Sequence, residues 1–448
     1  MLQCVSKSDK ISARAGILLS LCLTLCGWGL ASSAVAYSVF ELNPVNKNLS
    51  PELNDNDKVV WFGLDEVADD YDIFYYNGTD SIKVADNAFS EFSPKINNDE
   101  VIVWHGNSNG YKVFSNVDGF SNISGPSTVA PDKFKVGFSP EINALGHVAW
   151  FGTDFDVADD YEIYFYNGVS AVAITGNDVD DREAKINTSG EIVWQSDKNG
   201  DGSDWDICFY DDVINCNIEA DLAGNGLLPQ ISNTVPAQVV WYHNTGSDTV
   251  IRLWQASVGA STISDVSTNN KLPQINDSGE VVWQGQATDG SDSEIFLYTG
   301  GAVQRLTDNT FEDLAPQINN NGVVAWRGRP DSDSEIFVWN AGTITQVTDD
   351  NCNNLNVRIN NNNSLVWEAW DGPNSRIILA INDGLDTPPP GSIQCAVTST
   401  PAASSSPRKG DSGGCALNTR AGFDPVLIFL LFLSMFYMWR KHPQSQHK

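Results

Sequence analysis

Asp197, Asn199, Asp201 and Gly202 spell D-x-N-x-D-G, the opening of a loop whose oxygens converge on a hard cation. The twelfth position from Asp197 is Cys208, so the bidentate glutamate that closes an EF-hand is missing. A calcium site at Asp197, Asn199 and Asp201 and an ordinary Asp-rich turn both fit these residues, and calcium is the one cofactor they suggest. Other acids gather in the same way: Asp65, Asp69, Asp70 and Asp72; Asp156, Asp159, Asp160 and Glu162; Asp289, Asp292 and Glu294; Asp331, Asp333 and Glu335. Asp capping its own turn accounts for much of this. Carboxylates of raised pKa at one cleft would instead favour an enzyme. His105, His147 and His243 stand far apart, with no metal-ligand spacing, and there is no G-x-S-x-G nucleophile elbow. Of eight cysteines, Cys4, Cys22 and Cys26 sit in a leader-like segment. Cys208 and Cys216 flank a hairpin turn. Aligned on Phe296 and Gln304 around Thr299-Gly300-Gly301, they are expected to face each other and pair. Cys352 and Cys395 are expected to form a second bond, which leaves Cys415 over.

The elements that position these residues come from a repeat. Pro-x-Ile-Asn, a polar turn and Val-x-Trp recur, as in SPKINNDEVIVWHG from Ser93 and APQINNNGVVAWRG from Ala315. The tryptophans are Trp61, Trp104, Trp150, Trp194, Trp241, Trp283, Trp326 and Trp367, spaced 43, 46, 44, 47, 42, 43 and 41 residues apart. One tryptophan at one strand position in every copy reads as packing between repeats rather than a ligand cage. The seventh copy shows four β signals: Pro316–Asn319, Val323–Gly328, Glu335–Asn340 and Thr343–Thr348. Polar and apolar residues alternate in the last three, and Asn/Gly or Asp/Ser clusters separate them. Four short antiparallel strands per repeat of about 44 residues predict an all-β fold, an eight-bladed β-propeller over residues 37–384.

The order Pro-x-Ile-Asn-x-x-Gly, Val-x-Trp, Asp-x-Glu-Ile-Phe, then Thr resembles the TolB-type and WD-like propeller repeats. The resemblance covers nearly all of residues 37–384 and implies that the first signal is the innermost strand. On that footing Glu52, Lys95, Glu141, Lys185, Gln230, Gln274, Gln317 and Arg358 border the central channel, and the first four alternate in sign. The eighth copy ends after a third strand at Arg376–Ile381. Ser38–Asn54 aligns without gaps on Ser81–Asn97, so Ser38–Leu42 is expected to pair with Arg376–Ile381 and close the ring. An open ring would leave two exposed edges.

The ends read as addresses. Residues 1–36 have a basic start (Lys7, Lys10, Arg14), an apolar run and Ala34-Val35-Ala36, a signal peptide cleaved after Ala36. Cys26 as a lipoprotein site is disfavoured by the bulky Leu25 before it. Residues 385–412 are a Pro/Ser/Thr-rich linker. In residues 413–448, Gly413-Gly414-Cys415, an apolar run from Val426 to Trp439 and Arg440-Lys441-His442 resemble the bacterial sorting tails of the GlyGly-CTERM and MYXO-CTERM kind. The resemblance implies processing near Cys415 by a sorting protease or transpeptidase-like enzyme and attachment at the bacterial envelope. A plain single-pass membrane anchor, a transmembrane helix, is the alternative.

The chain carries a net charge of −31. Residues 37–384 hold 17 basic and 53 acidic residues, a net −36, while the flanks are positive. That excludes a nucleic-acid binder built on phosphate contacts. The expectation is an exported, surface-anchored scaffold that binds a protein or glycan partner without catalysis. A hydrolase or lyase with carboxylates at the channel mouth, and a structural envelope component, are the alternatives.

Overall fold

The computed structural model describes residues 37–42, 47–108, 111–116, 121–122, 134–154, 160–216, 218, 224–264, 267–287 and 292–382. The signal peptide with Ala36, the linker with Cys395, and the tail with Gly413, Gly414 and Cys415 lie outside these residues. Within them the chain forms thirty-two strands in eight antiparallel four-stranded sheets. There is no helix among the described residues, and so none long and apolar enough to cross a membrane. Seven sheets take their strands in chain order. The eighth is joined by the first strand of the chain, Tyr37–Glu41, which pairs with Ser375–Asn382 in the register Ser38↔Ile381 to Glu41↔Ile378. The first strand of each blade touches the first strand of the next, and Asn48–Leu53 touches Asn353–Ile359, so the sheets form a closed ring.

The repeat motif explains each blade. The residue before Pro-x-Ile adopts a left-handed conformation in every copy: Ser50, Ser93, Ser139, Glu183, Leu228, Leu272, Ala315 and Asn356, at φ between 47° and 57°. A register shift accompanies it. This is a β-bulge, and proline fits inside it because no ladder partner needs its missing N–H. Val-x-Trp forms the second strand, whose central tryptophan is at most 2% exposed in all eight blades. Each tryptophan packs on the preceding blade: Trp104 lies with Ile102 and Phe114 against Val60, Ile73 and Tyr75 of blade 1. Trp61 lies with Val59 against Val366, Ile377 and Leu379 of blade 8. The core is therefore a ring of sheet-on-sheet layers rather than one central mass.

Strand order also sorts the loops. The first-to-second and third-to-fourth connections fall on one side, the turn face. The second-to-third and blade-to-blade connections fall on the other, the loop face.

Candidate functional site at the loop-face mouth

The channel charges meet. Lys95 Nζ lies 2.7 Å from Glu52 and 3.5 Å from Glu141; Lys185 pairs with Glu141; Arg358 Nε lies 3.3 Å from Glu52. An unbroken ionic arc thus runs through blades 8, 1, 2, 3 and 4. Burial opposes ionisation of Glu52, but Arg358 and Lys95 outweigh it and hold the carboxyl at about 2. Burial likewise opposes, and Lys185 and Lys95 overcome, so that Glu141 is also lowered. Blades 5, 6 and 7 place the uncharged Gln230, Gln274 and Gln317 at the same position.

On the turn face the Asn of Pro-x-Ile-Asn does two things. Its Oδ1 caps its own turn, as Asn319 does for the N–H groups of Asn321 and Val323. Its Nδ2 reaches the next blade: Asn54 to Asn97 O (3.0 Å), Asn97 to Asn143 O (3.1 Å), Asn143 to Asn187 O (2.9 Å), Asn276 to Asn319 O (3.0 Å) and Asn319 to Asn360 O (2.8 Å). Ser232 interrupts the series.

The loop-face end is decorated by one cross-strand pair per blade, formed by the residue after the tryptophan and the residue before the bulge. In blades 1 to 3 these are Leu49/Phe62, Phe92/His105 and Phe138/Phe151. The third strands add Tyr71 and Tyr111, and Tyr161 stands just before the third strand of blade 3. The rings make a continuous belt: Phe62 to Phe92 (5.5 Å), Phe92 to His105 (5.8 Å), His105 to Phe138 (5.7 Å), Tyr111 to Phe138 (4.9 Å), Phe138 to Phe151 (5.8 Å) and Phe151 to Tyr161 (5.6 Å). The Arg182 guanidinium ends the belt, 4.5 Å over Tyr161 and 5.8 Å over Trp205. All of these rings except His105 are half-buried. Burial holds His105 down to about 4, so it is a neutral ring at physiological pH. Blades 4 and 6 carry the polar pairs Arg182/Gln195 and Lys271/Gln284, blade 5 carries Leu227/Tyr242, and blades 7 and 8 set a leucine against a charge, Leu314/Arg327 and Leu355/Glu368. Between blades 5 and 6 lies a cleft of about 630 Å³ lined by Leu227, Tyr242, Asn244, Asp248, Thr268 and Lys271.

The acids of the link between second and third strands divide. Asp72, Glu162, Glu294 and Glu335 turn inward, at most 4% exposed, each opposite the glycine two residues after the tryptophan. Asp69 and Asp331 face solvent. Asp156, Asp159 and Asp289 lie outside the described residues. A second buried set accepts from the tryptophan Nε1: Asn48 (3.0 Å), Glu91 (3.0 Å), Asp181 (2.9 Å), Asn270 (2.9 Å), Asp313 (2.7 Å) and Asn354 (2.9 Å). The glycine is required here, because a Cβ at Gly63 or Gly285 would run into the Asn48 or Asn270 acceptor. Burial pushes Glu91, Glu162, Asp313 and Glu335 each up to about 7, against the donors they hold.

Asp197 Oδ2 accepts from Gly202 N at 2.6 Å, Asp201 Oδ1 accepts from Ser203 N at 3.0 Å, and Asn199 Nδ2 donates to Asp204 at 3.4 Å. Among the described residues, the acids whose oxygens converge closely enough for a metal are Asp65, Asp72 and Asp86. Lys83 Nζ lies between them at 2.6, 2.8 and 3.2 Å. Cys208 and Cys216 form a disulfide. The alignment on blade 6 is off by one residue, since Phe296 faces Arg305 rather than Gln304. The turn of blade 4 is shorter, Tyr210↔Ile214, and brings the cysteines opposite. Cys352 is disulfide-bonded too, to a residue outside those described. His147 packs on Phe165, and His243 is buried in blade 5.

The belt and the Asn series were not foreseen. The belt's signal was in the sequence, in aromatic residues one place after Trp61, Trp104 and Trp150 and two before the Pro of Pro-x-Ile in blades 2 and 3.

No family model and no curated protein matches the chain. Solved propellers do. Dipeptidyl peptidase 4 of Porphyromonas gingivalis is 11% identical at TM-score 0.53, over 76% of this chain and 58% of that one. The β-propeller domain of the Trilobed protease from Pyrococcus furiosus is 11% identical at TM-score 0.44, over 79% and 98%. TolB from Acinetobacter baumannii is 12% identical at TM-score 0.32, over 69% and 59%. This chain thus spans under two thirds of the first and third, and the likeness is one of fold.

Proposed function

We propose that the chain is exported, held at the bacterial envelope by its C-terminal tail, and serves as a non-catalytic scaffold that binds a protein or glycan partner at the loop-face mouth. The aromatic belt of blades 1 to 4 carries this reading. Its rings are fixed by one another before a partner arrives, so binding orders few side chains. Their exposed faces suit sugar C–H groups or apolar peptide side chains, and Arg182 adds a cation within a strongly acidic disc. Raised carboxylates at a cleft would have favoured a hydrolase or lyase. Glu91, Glu162, Asp313 and Glu335 instead lie between and within blades, at most 4% exposed. The disulfides suit an oxidising compartment.

The test compares the full-length chain with a Tyr111→Ser/Phe138→Ser variant for co-sedimentation with envelope polysaccharide and for capture of envelope proteins, with cell fractionation alongside. We expect retention of the wild type in the envelope fraction and loss of capture by the variant at an unchanged circular dichroism spectrum. Equal capture by both would remove the belt from the reading.

A further inference from the structure

Blades 1, 3, 6 and 7 place an acid at one register position: Asp72 opposite Gly63, Glu162 opposite Gly152, Glu294 opposite Gly285 and Glu335 opposite Gly328, the last accepting from Asp350 N and Asn354 Nδ2, each at 3.2 Å. In blades 1 and 6 the fourth strand neutralises it. Lys83, opposite Phe74, lies 2.8 Å from Asp72. Arg305, opposite Phe296, lies 2.8 Å from Glu294. Each cation also holds the acid three residues on, Asp86 or Asp308. In blade 3 the residue at that position, opposite Tyr164, is Ala173, and Gly176 follows three residues later.

Among the described residues Glu162 is therefore left without an internal cation, although it is 4% exposed and neither of its oxygens accepts a hydrogen bond from them. The Thr175 hydroxyl and the Asn177 N–H lie near it outside bonding geometry, and Asp181 and Asp160, both buried, add negative charge. A buried carboxylate in such a place costs several kcal/mol unless a proton or a cation joins it. We propose that a hard divalent cation binds at Glu162, beside Asp181 and Thr175 at the junction of blades 3 and 4, and does there what Lys83 and Arg305 do in blades 1 and 6. The donors are all oxygen, which selects calcium or magnesium over zinc. An exported module of this kind needs an affinity only in the range of roughly 10⁻⁴–10⁻³ M. The site is separate from the Asp197 loop and does not depend on the aromatic belt.

Thermal shift and titration calorimetry on the chelator-treated full chain, with calcium and then magnesium as probes, test it. Calcium is expected to raise the melting temperature of the wild type and of Asp201→Asn, and not that of Glu162→Gln. Ala173→Lys restores the arrangement of blade 1, so it should melt higher than the wild type without calcium and gain nothing from it. An absence of heat and shift in the wild type overturns the proposal. So does a shift that survives Glu162→Gln, and if that same shift vanishes in Asp201→Asn the cation belongs to the Asp197 loop.

Discussion

Asn360 Nδ2 donates to the backbone carbonyl of Asn54 at 2.9 Å. These residues are 306 positions apart, yet the bond is the same one that joins blades 1 to 2 and 7 to 8. Asn361 N to Asp55 (2.9 Å) and Arg358 to Glu52 (3.3 Å) repeat neighbouring contacts of the ordinary junctions in the same way. The junction between the last blade and the first is therefore no seam. It is a standard blade contact, made available once the strand Tyr37–Glu41 has completed the eighth sheet.

Deleting residues 37–42 should lower the melting temperature by about 10 °C or more. The deletion removes a whole ladder, exposes the edge of Ser375–Asn382 and uncovers the packing of Tyr37 and Leu42, which are 4% and 7% exposed. Burying two such side chains contributes about 1.5–3 kcal/mol each, before the lost strand is counted. Differential scanning calorimetry checks it. A melting temperature within 2 °C or so of the full chain would show that the ring does not need its N-terminal strand.

The inter-blade asparagines should each matter more than their exposure suggests. Asn97→Ala removes the bond to Asn143 and leaves the N–H groups of Asp99 and Val101 uncapped. A cost of about 2–3 kcal/mol is expected from three lost bonds of roughly 1 kcal/mol each. Urea denaturation reads it directly. The exposed neighbour variant Asn98→Ala, which loses contacts only at the surface, should cost under about 1 kcal/mol.

The ring, its closure and its tryptophan layer were legible because each rests on a residue type repeated at a fixed interval. Trp61 to Trp367 mark the blades, and the alignment of Ser38–Asn54 on Ser81–Asn97 marks the missing strand. The channel charges were legible for the same reason. What the repeat hides is the use of its variable positions. Phe62, His105 and Phe151 each follow a tryptophan, but only the register that sets Phe92 against His105 and Phe138 against Phe151 turns them into one belt. The acids misled in the other direction. Asp69 and Asp72 look alike in sequence, but Asp69 sits in the turn before the strand Asp70–Tyr76 and faces solvent, while Asp72 lies within that strand and faces the core.

The ionic arc should be sensitive to sign. Lys95→Glu places three acids side by side at Glu52, residue 95 and Glu141, where the lysine now bridges two. A loss of about 2 kcal/mol or more is expected, given partly enclosed side chains and the cost of an uncompensated charge. Lys95→Met should lose less, because Arg358 and Lys185 still hold the two acids. Chemical denaturation at low and high salt separates the cases. Equal stability of Lys95→Glu and Lys95→Met would mean that the channel charges do not interact energetically.

Stability should be greater near pH 5 than near pH 8. Glu91, Glu162, Asp313 and Glu335 are raised to about 7 by burial. A carboxyl whose folded pKa lies above its unfolded value favours the folded state fully below the unfolded pKa. That contribution is lost as pH climbs through the folded value, here between about 4 and 7. Glu52, held at about 2, acts oppositely and only at lower pH: its contribution is present above its unfolded value near 4.5 and is lost as pH falls towards 2. The two trends leave a maximum in mildly acidic solution. Glu91→Gln isolates one member. Its Oε1 takes both the Trp104 and the Asn87 bonds, and its Oε2 has none, so an amide can replace the carboxyl without losing an acceptor. The variant should match the wild type at pH 5, exceed it at pH 8 by about 1 kcal/mol or more, and flatten the slope between them. Melting curves across pH 4–8 decide it, and a wild type that grows steadily more stable up to pH 8 would contradict the assignment of these acids as buried and reluctant to ionise.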